Sequence, residues 1–310
     1  MIKVFIDGSS GTTGLNIGKR LGERNDVSLI VLDEAHRKDP AAKQSAMRES
    51  DVTFLCLPDD AAREAAALAG DFDTIIIDTS TAHRTADGWT YGFAELAGQR
   101  EKIAGSRRIA NPGCHASGFV ALAAPLIRAG LLPKDVRLSC FSLTGYSGGG
   151  KKMIAQYEDP DNAAKVQAPS MYALLQRHKH LPEMTAVCGL VHAPVFCPVV
   201  ASYYAGMQVV VPVDRGILAG GIDDVRRTYA SVYDGRVIWF SEDSSEAGFL
   251  SAGAFAGRDD MQIGVFGNDE RMTLVARFDN LGKGACGAAI QNMNIALSLP
   301  EETGLVLPEV

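Results

Sequence analysis

The chain has 310 residues, of which 46% are hydrophobic, 22% charged and 7% aromatic. That is enough apolar material for one large or two medium domains, and too much for a disordered or fibrous chain. Thirty basic residues against thirty-seven acidic ones leave a net charge of −7. This disfavours a nucleic-acid binder, whose affinity rests on Lys and Arg neutralising phosphates, but leaves room for a local basic pocket.

In chain order, a strand is predicted at once over Ile2–Asp7, with no secretory signal ahead of it. A helix over Gly14–Arg24, strands over Val27–Leu32 and Val52–Leu57, a helix over Asp59–Ala69 and a strand over Thr74–Asp78 follow. Apolar strands separated by helices predict an α/β fold, a Rossmann-like doubly wound parallel sheet that binds a dinucleotide. From about Cys114 the pattern changes. A helix over His115–Ala129 leads into strands over Val136–Leu143, Pro194–Val213, Val237–Phe240, Met261–Phe266 and Arg271–Phe278, and a last helix spans Gly284–Leu299. Strands with few helices between them predict a second, α+β domain with a mixed sheet. The expected division is a dinucleotide-binding domain of residues 1–113 with 284–310, and a catalytic domain of residues 114–283.

The longest apolar run, 189–213, is interrupted by His192, Pro194, Pro198 and Gly206. A spanning helix needs roughly 20 nearly unbroken apolar residues, so this run is read as buried strands and no membrane partner is expected. Six scattered cysteines form no CxxC pair and no metal spacing. They are expected to be reduced thiols in a cytoplasmic protein that binds no metal.

After the first strand comes Gly8-Ser-Ser-Gly11-Thr-Thr-Gly14, then a helix. Glycines permit the tight turn and close backbone approach that a dinucleotide phosphate requires, and the helix amides face the anion. Gly8, Gly11 and Gly14, with the hydroxyls of Ser9, Ser10, Thr12 and Thr13, are therefore cofactor candidates. Asp33, about twenty residues on, is placed to meet a ribose 2′-hydroxyl, as for NAD. His36, Arg37 and Lys38 follow it and can hold a 2′-phosphate instead, so NADP(H) is the expected cofactor, with Arg37 as the phosphate contact.

In Asn111-Pro112-Gly113-Cys114-His115 a Pro-Gly turn sets Cys114 at a helix N-terminus. There the dipole and amides favour the thiolate, the reactive form of cysteine, and can stabilise an oxyanion on a carbon it attacks. His178 and His180 lie two residues apart, on one side of an extended segment, with Glu183 three residues beyond to orient a ring. Such a pair suits proton transfer near neutrality, with His180 as acid/base and His178 assisting. Cations for an anionic substrate are Arg84, at the carboxyl edge of the first sheet, Arg107 and Arg108, and Lys151 and Lys152. Ser147-Gly148-Gly149-Gly150 would let backbone approach a ligand.

The glycine turn and Asn111-Pro-Gly-Cys114 resemble the N-acetyl-γ-glutamyl-phosphate reductases, relatives of aspartate-semialdehyde dehydrogenase. The likeness runs through Asp78-Thr-Ser-Thr-Ala-His83-Arg84, Tyr91-Gly-Phe-Ala-Glu95-Leu96, Gly145-Tyr-Ser-Gly-Gly-Gly150, His178-Lys-His180-Leu-Pro-Glu183 and Asp279-Asn-Leu-Gly-Lys283-Gly284. Length and the Thr-Ala-His-Arg wording are similar to the shorter branch; Lys179 replaces an Arg usual in the longer one. The resemblance implies NADPH-dependent reduction of N-acetyl-L-glutamyl 5-phosphate to the semialdehyde with phosphate release, through a thioester on Cys114. It implies cofactor contacts from Ser147, Gly148, Gly149 and Lys283, substrate contacts from Arg84, Arg108, Asn111 and Glu183, and a homodimer or homotetramer. Competing readings are aspartate-semialdehyde dehydrogenase, a non-catalytic NADP-binding sensor, and a cysteine hydrolase using Cys114 and His180.

Overall fold

The computed structural model describes residues 1–309 and separates into two compact units: Met1–Gly113 with Ala285–Leu305, and Cys114–Gly284 with the tail from Val306. The first unit begins β1 (Ile2–Asp7), α1 (Thr12–Gly22), β2 (Val27–Ile30), α2 (Pro40–Glu49), β3 (Val52–Leu55), α3 (Asp59–Ala69) and β4 (Ile75–Asp78). It continues with β5 (Thr90–Tyr91), α4 (Gln99–Ala104) and β6 (Arg108–Ala110). The six strands form one parallel sheet in the order β2-β1-β3-β4-β6-β5.

Alternation along β1 builds both faces of this sheet. Val4 and Ile6 pack with Ile17, Leu21, Phe54, Ile109 and Ile290, while Phe5 packs with Met47, Leu55, Ala65 and Ile76. Burial on both faces is why these strands read as apolar runs. The helix α2 escaped sequence reading because Lys43, Gln44 and Arg48 dilute its apolar face. Its start is nonetheless conventional, with Asp39 accepting from the Ala41 amide (3.0 Å) and Pro40 in the first turn.

The second unit opens with α5 (Cys114–Arg128) and β7 (Ser139–Gly145), then α6 (Gly150–Glu158), α7 (Ala163–Val166), β8 (Ser170–Met171) and α8 (Leu181–Cys188). β9 (Val195–Ala201), β10 (Met207–Asp214), α9 (Ile222–Val232), β11 (Ile238–Phe240), β12 (Met261–Gly267) and β13 (Arg271–Phe278) complete it. Its seven-stranded mixed sheet runs β11-β12-β13-β10-β7-β9-β8. More helices intervene than the sequence reading expected.

Buried nearly all round, α5 is the spine of this unit. Gly118 lets it lie close on the sheet, where an added Cβ would stand 2.5 Å from Val209 Cγ2 and 2.9 Å from Phe278 Cε1. Pro125 inside the helix has no amide for the Ala121 carbonyl, and the buried Tyr233 hydroxyl donates to that carbonyl instead (2.7 Å).

The last helix, α10, runs Gly287–Ala296 and is preceded by a wide turn over Gly282–Cys286. The expected division assigned everything after residue 283 to the first domain, and here the structure differs. From Val306 the tail joins the second unit: the Asp259 amide donates to the Val306 carbonyl (2.8 Å), and the Val306 amide donates to Asp259 Oδ2 (2.7 Å). No helix among the described residues is long and apolar enough to cross a membrane.

Candidate active site

In the first unit, the turn between β1 and α1 is shaped for close approach. Gly8 has φ +87°, and a Cβ there would lie 2.2 Å from the Cys56 carbonyl oxygen. A Cβ on Gly14 would lie 2.5 Å from the Gly8 oxygen. These positions admit only glycine. Gly11 is the N-cap of α1, so no side chain caps the helix, and Thr12 Oγ1 is buried without a hydrogen-bond partner. An uncapped helix start and an orphaned hydroxyl beside a glycine cradle fit a dinucleotide pyrophosphate. Ser9 and Ser10 line a cavity of about 330 Å³, together with Gly8, Leu29 to Leu32, Arg37, Lys38 and Lys43. Lys43 Nζ stands 2.9 Å from Asp7 Oδ2, an ion pair without hydrogen-bond geometry.

Both the acidic and the basic candidates for the ribose sit in exposed ion pairs. Asp33 accepts from the His36 amide and pairs with His36 Nδ1 (2.7 Å), which holds its carboxyl below the usual range. Arg37 pairs with Glu34 (2.8 Å), and both pairs are exposed and screened, so each holds its partner weakly.

At the carboxyl edge of the same sheet, Arg84 is buried and donates to the Asn111 carbonyl (2.9 Å) and the Thr79 carbonyl (3.1 Å). Asn111 donates to the Ala285 carbonyl and accepts from Asn292 Nδ2, both at 3.0 Å. Two expected substrate contacts therefore belong to one buried polar network that holds the chain three residues before Cys114. His83 extends it, pairing with Asp78 Oδ2 (2.6 Å) and stacking on Trp89.

Arg108 stands at the opposite edge of this sheet. It begins β6, at the amino end of a parallel strand, and its guanidinium donates to the carbonyls of Gly70, Thr74 and Arg107. These bonds tie the start of β6 to the turn before β4.

In the second unit, Cys114 is the first residue of α5, half-buried beneath the Pro-Gly turn. Gly284 leaves room beside it, since a Cβ there would stand 3.0 Å from Cys114 Cβ. The His178 and His180 rings lie 4.7 Å apart, edge to face. An extended segment does not bring them together, as expected from sequence; a turn does. His180 is helical at the N-cap of α8, and its amide donates to His178 Nδ1 (3.2 Å). Glu183 follows in the first turn of α8 and is buried.

A third imidazole, passed over in the sequence, joins them. The His115 ring lies 5.5 Å from that of His178 and 5.6 Å from that of His180. The available signal was its place directly after Cys114 in the first turn of α5. Burial, reinforced by His178 and Lys179, pushes its pKa down to about 3, so it stays neutral.

The glycine run after β7 forms a short 3-10 turn, Tyr146–Gly149. Ser147 is buried there and accepts from Asn280 Nδ2 (2.9 Å), whereas Gly148 and Gly149 are exposed. Lys283 lies in the wide turn before α10 and is 1% exposed.

A glycine-cradled dinucleotide turn, and a cysteine heading a buried helix beside an imidazole cluster, define a nicotinamide-dependent dehydrogenase of the semialdehyde class. The family described as "Semialdehyde dehydrogenase, NAD binding domain" matches residues 3–106, and "Semialdehyde dehydrogenase, dimerisation domain" matches residues 114–280. The N-acetyl-gamma-glutamyl-phosphate reductase of Brucella anthropi is 46% identical, covering 95% of this chain and 98% of its own. That of Sinorhizobium medicae is 45% identical over 96% and 99%, and reductase 2 of a Nostoc species 44% over 98% and 99%. The chain belongs to the N-acetyl-gamma-glutamyl-phosphate reductase family. Aspartate semialdehyde dehydrogenase II of Vibrio cholerae shares the fold, with a TM-score of 0.72 at 16% identity over 96% and 99% of the two chains.

Proposed function

We infer that the chain reduces N-acetyl-L-glutamyl 5-phosphate to N-acetyl-L-glutamate 5-semialdehyde with NADPH, releasing phosphate, as a step of arginine biosynthesis. The observation that carries this is Cys114 at the start of α5, directly before His115, whose ring meets those of His178 and His180, in a chain 44–46% identical to these reductases over nearly its whole length.

The Cys114 thiolate, favoured by the helix N-terminus, attacks the acyl carbon; phosphate leaves and a thioester remains on sulfur. The first amides of α5 stabilise the oxyanion of that step. Gly8, Ser10, Gly11, Thr12, Thr13 and Gly14 hold the pyrophosphate of NADPH, and Arg37 with Lys38 its 2′-phosphate; the bound nicotinamide supplies the hydride that brings the acyl group to the aldehyde level. His180, assisted by His178, takes the thiol proton and balances charge on the oxygen as the carbon–sulfur bond breaks and the thiolate is regenerated. Glu183 steadies this pair from α8. Arg84 and Asn111 fix the turn that presents Cys114. Ser147, Gly148, Gly149 and Lys283 border the ligand. The enzyme works as a homodimer or homotetramer in the cytoplasm.

The test is phosphate-dependent cofactor reduction, with N-acetylglutamate semialdehyde and aspartate semialdehyde offered separately. Activity is expected with the first substrate, a fall of more than about 10³-fold in Cys114→Ser, and a fall of about 10–100-fold with NADP⁺ but not NAD⁺ in an Arg37→Ala/Lys38→Ala variant. Activity with aspartate semialdehyde alone would overturn the substrate assignment. Undiminished turnover in Cys114→Ser would remove the nucleophile.

A further inference from the structure

The cavity beside the glycine turn holds a cation that the reaction scheme does not use. Lys43 is the fourth residue of α2, and its side chain is only 20% exposed. With Arg37 and Lys38 it lines the cavity of about 330 Å³. We propose that Lys43 is a third contact to the 2′-phosphate of NADP(H), and so helps set the preference over NAD(H); this rests on the NADP(H) reading given above.

The ammonium is held by charge and not by hydrogen bonds. Lys43 Nζ stands 2.9 Å from Asp7 Oδ2, outside hydrogen-bond geometry, and that buried oxygen has no hydrogen-bond partner of its own. Among the described residues, no acceptor takes a hydrogen bond from Nζ. An ammonium carries three donors and no acceptor. Burying donors unmatched is unfavourable, so a mostly buried ammonium on a cavity wall calls for an acceptor brought by a ligand. Helix stability gives Lys43 no other reason to be there, because the amino end of a helix dipole repels a cation.

The charge on the wall selects the group. Three cations, Arg37, Lys38 and Lys43, face one lining carboxylate, Asp7, an excess of two positive charges. A phosphate monoester carries about −1.5 to −2 at pH 7, with three acceptor oxygens. The ribose hydroxyl that NAD(H) offers in its place would leave the excess unmatched. One stretch of chain sets all three cations. The Asp39 amide donates to the His36 carbonyl (2.9 Å), closing a turn around Arg37 and Lys38, and the Lys43 amide donates to the Asp39 carbonyl (3.0 Å) as α2 begins. Asp7, at the end of β1, then anchors the Lys43 head group. The cations are in place before a ligand arrives, so little ordering opposes binding.

Calorimetric titration of the full-length protein with NADP⁺ and with NAD⁺ tests this without turnover, since the two differ only in the 2′-phosphate. Lys43→Gln is expected to weaken NADP⁺ binding by about 10–100-fold and NAD⁺ binding by less than about threefold. That variant leaves Asp7 buried without its counter-charge and could unfold for that reason. Asp7→Asn/Lys43→Gln removes both charges and should show the same selective loss. An unchanged ratio of the two affinities in these variants, even with both affinities lowered, would overturn the proposal. If that ratio were lost only in Arg37→Ala/Lys38→Ala, Lys43 alone would be removed and the NADP(H) reading would stand. A wild type that binds both dinucleotides equally would remove that reading and the proposal with it.

Discussion

Cys114 owes its position to the residues just before it. The Pro112-Gly113 turn starts α5 at the cysteine, and Arg84 holds the Asn111 carbonyl in place (2.9 Å). Its neighbour His115 illustrates the opposite influence, a side chain defined by what folds around it. The folded ring takes a proton only near pH 3, whereas the unfolded ring does so near 6.5. Between those values the unfolded chain binds more protons, so the folded state loses stability as pH falls from 6.5 towards 3. By pH 4.5 this amounts to about 2–3 kcal/mol. His115→Gln should therefore lose that much less stability than wild type between pH 7 and 4.5 in urea unfolding; parallel losses would show that burial of this ring does not govern the acid response. Nothing in the residues flanking His115 predicted this, because Ser142, Tyr172, His178 and Phe196 arrive from later parts of the chain.

Among the elements, α5 shows how an unfavourable residue is accommodated. Pro125 leaves the Ala121 carbonyl without its helical partner, and Tyr233 supplies one from the residue after α9. Tyr233→Phe should cost about 1–3 kcal/mol, the penalty of a buried unsatisfied carbonyl. In a Pro125→Ala background, where the backbone amide returns, the same change should cost distinctly less by chemical denaturation; equal costs in both backgrounds would separate the tyrosine from the proline. The elements most legible in the sequence were those with strong periodicity or clear termini: β1, β13 and α3 match their predicted spans. Those missed, the helices α2, α4, α6, α7, α8 and α9 and the two- and three-residue strands β5, β6 and β8, are short or polar, and tertiary packing supplies much of their stability. The histidine pair was recognised for its spacing, but its geometry comes from the N-cap of α8 rather than from a strand.

For the molecule as a whole, one face of the second sheet is left open. Phe141 is 45% exposed, Val195 56% and Met171 54%, and strand register places Phe141 beside Cys197 and Val210 on that face. A contiguous apolar face of this kind favours a second copy of the chain as its cover, in keeping with the homo-oligomer proposed above. Light scattering should give at least a dimer for the wild type and a monomer for Phe141→Glu; a monomeric wild type would refute it. The sequence alone determined the parallel dinucleotide-binding sheet, the glycine turn, the cysteine at a helix start and the paired histidines, because each follows from local rules of periodicity, turn chemistry and helix ends. Only the tertiary structure decided that Arg108 is bonded to the turn before β4, that Arg84 serves a buried carbonyl, that the tail joins Asp259, and that His115 meets Ser142 and Tyr172. Those outcomes depend on which distant segments share a buried space, and the energy of burying a polar group is set by the partner it meets there.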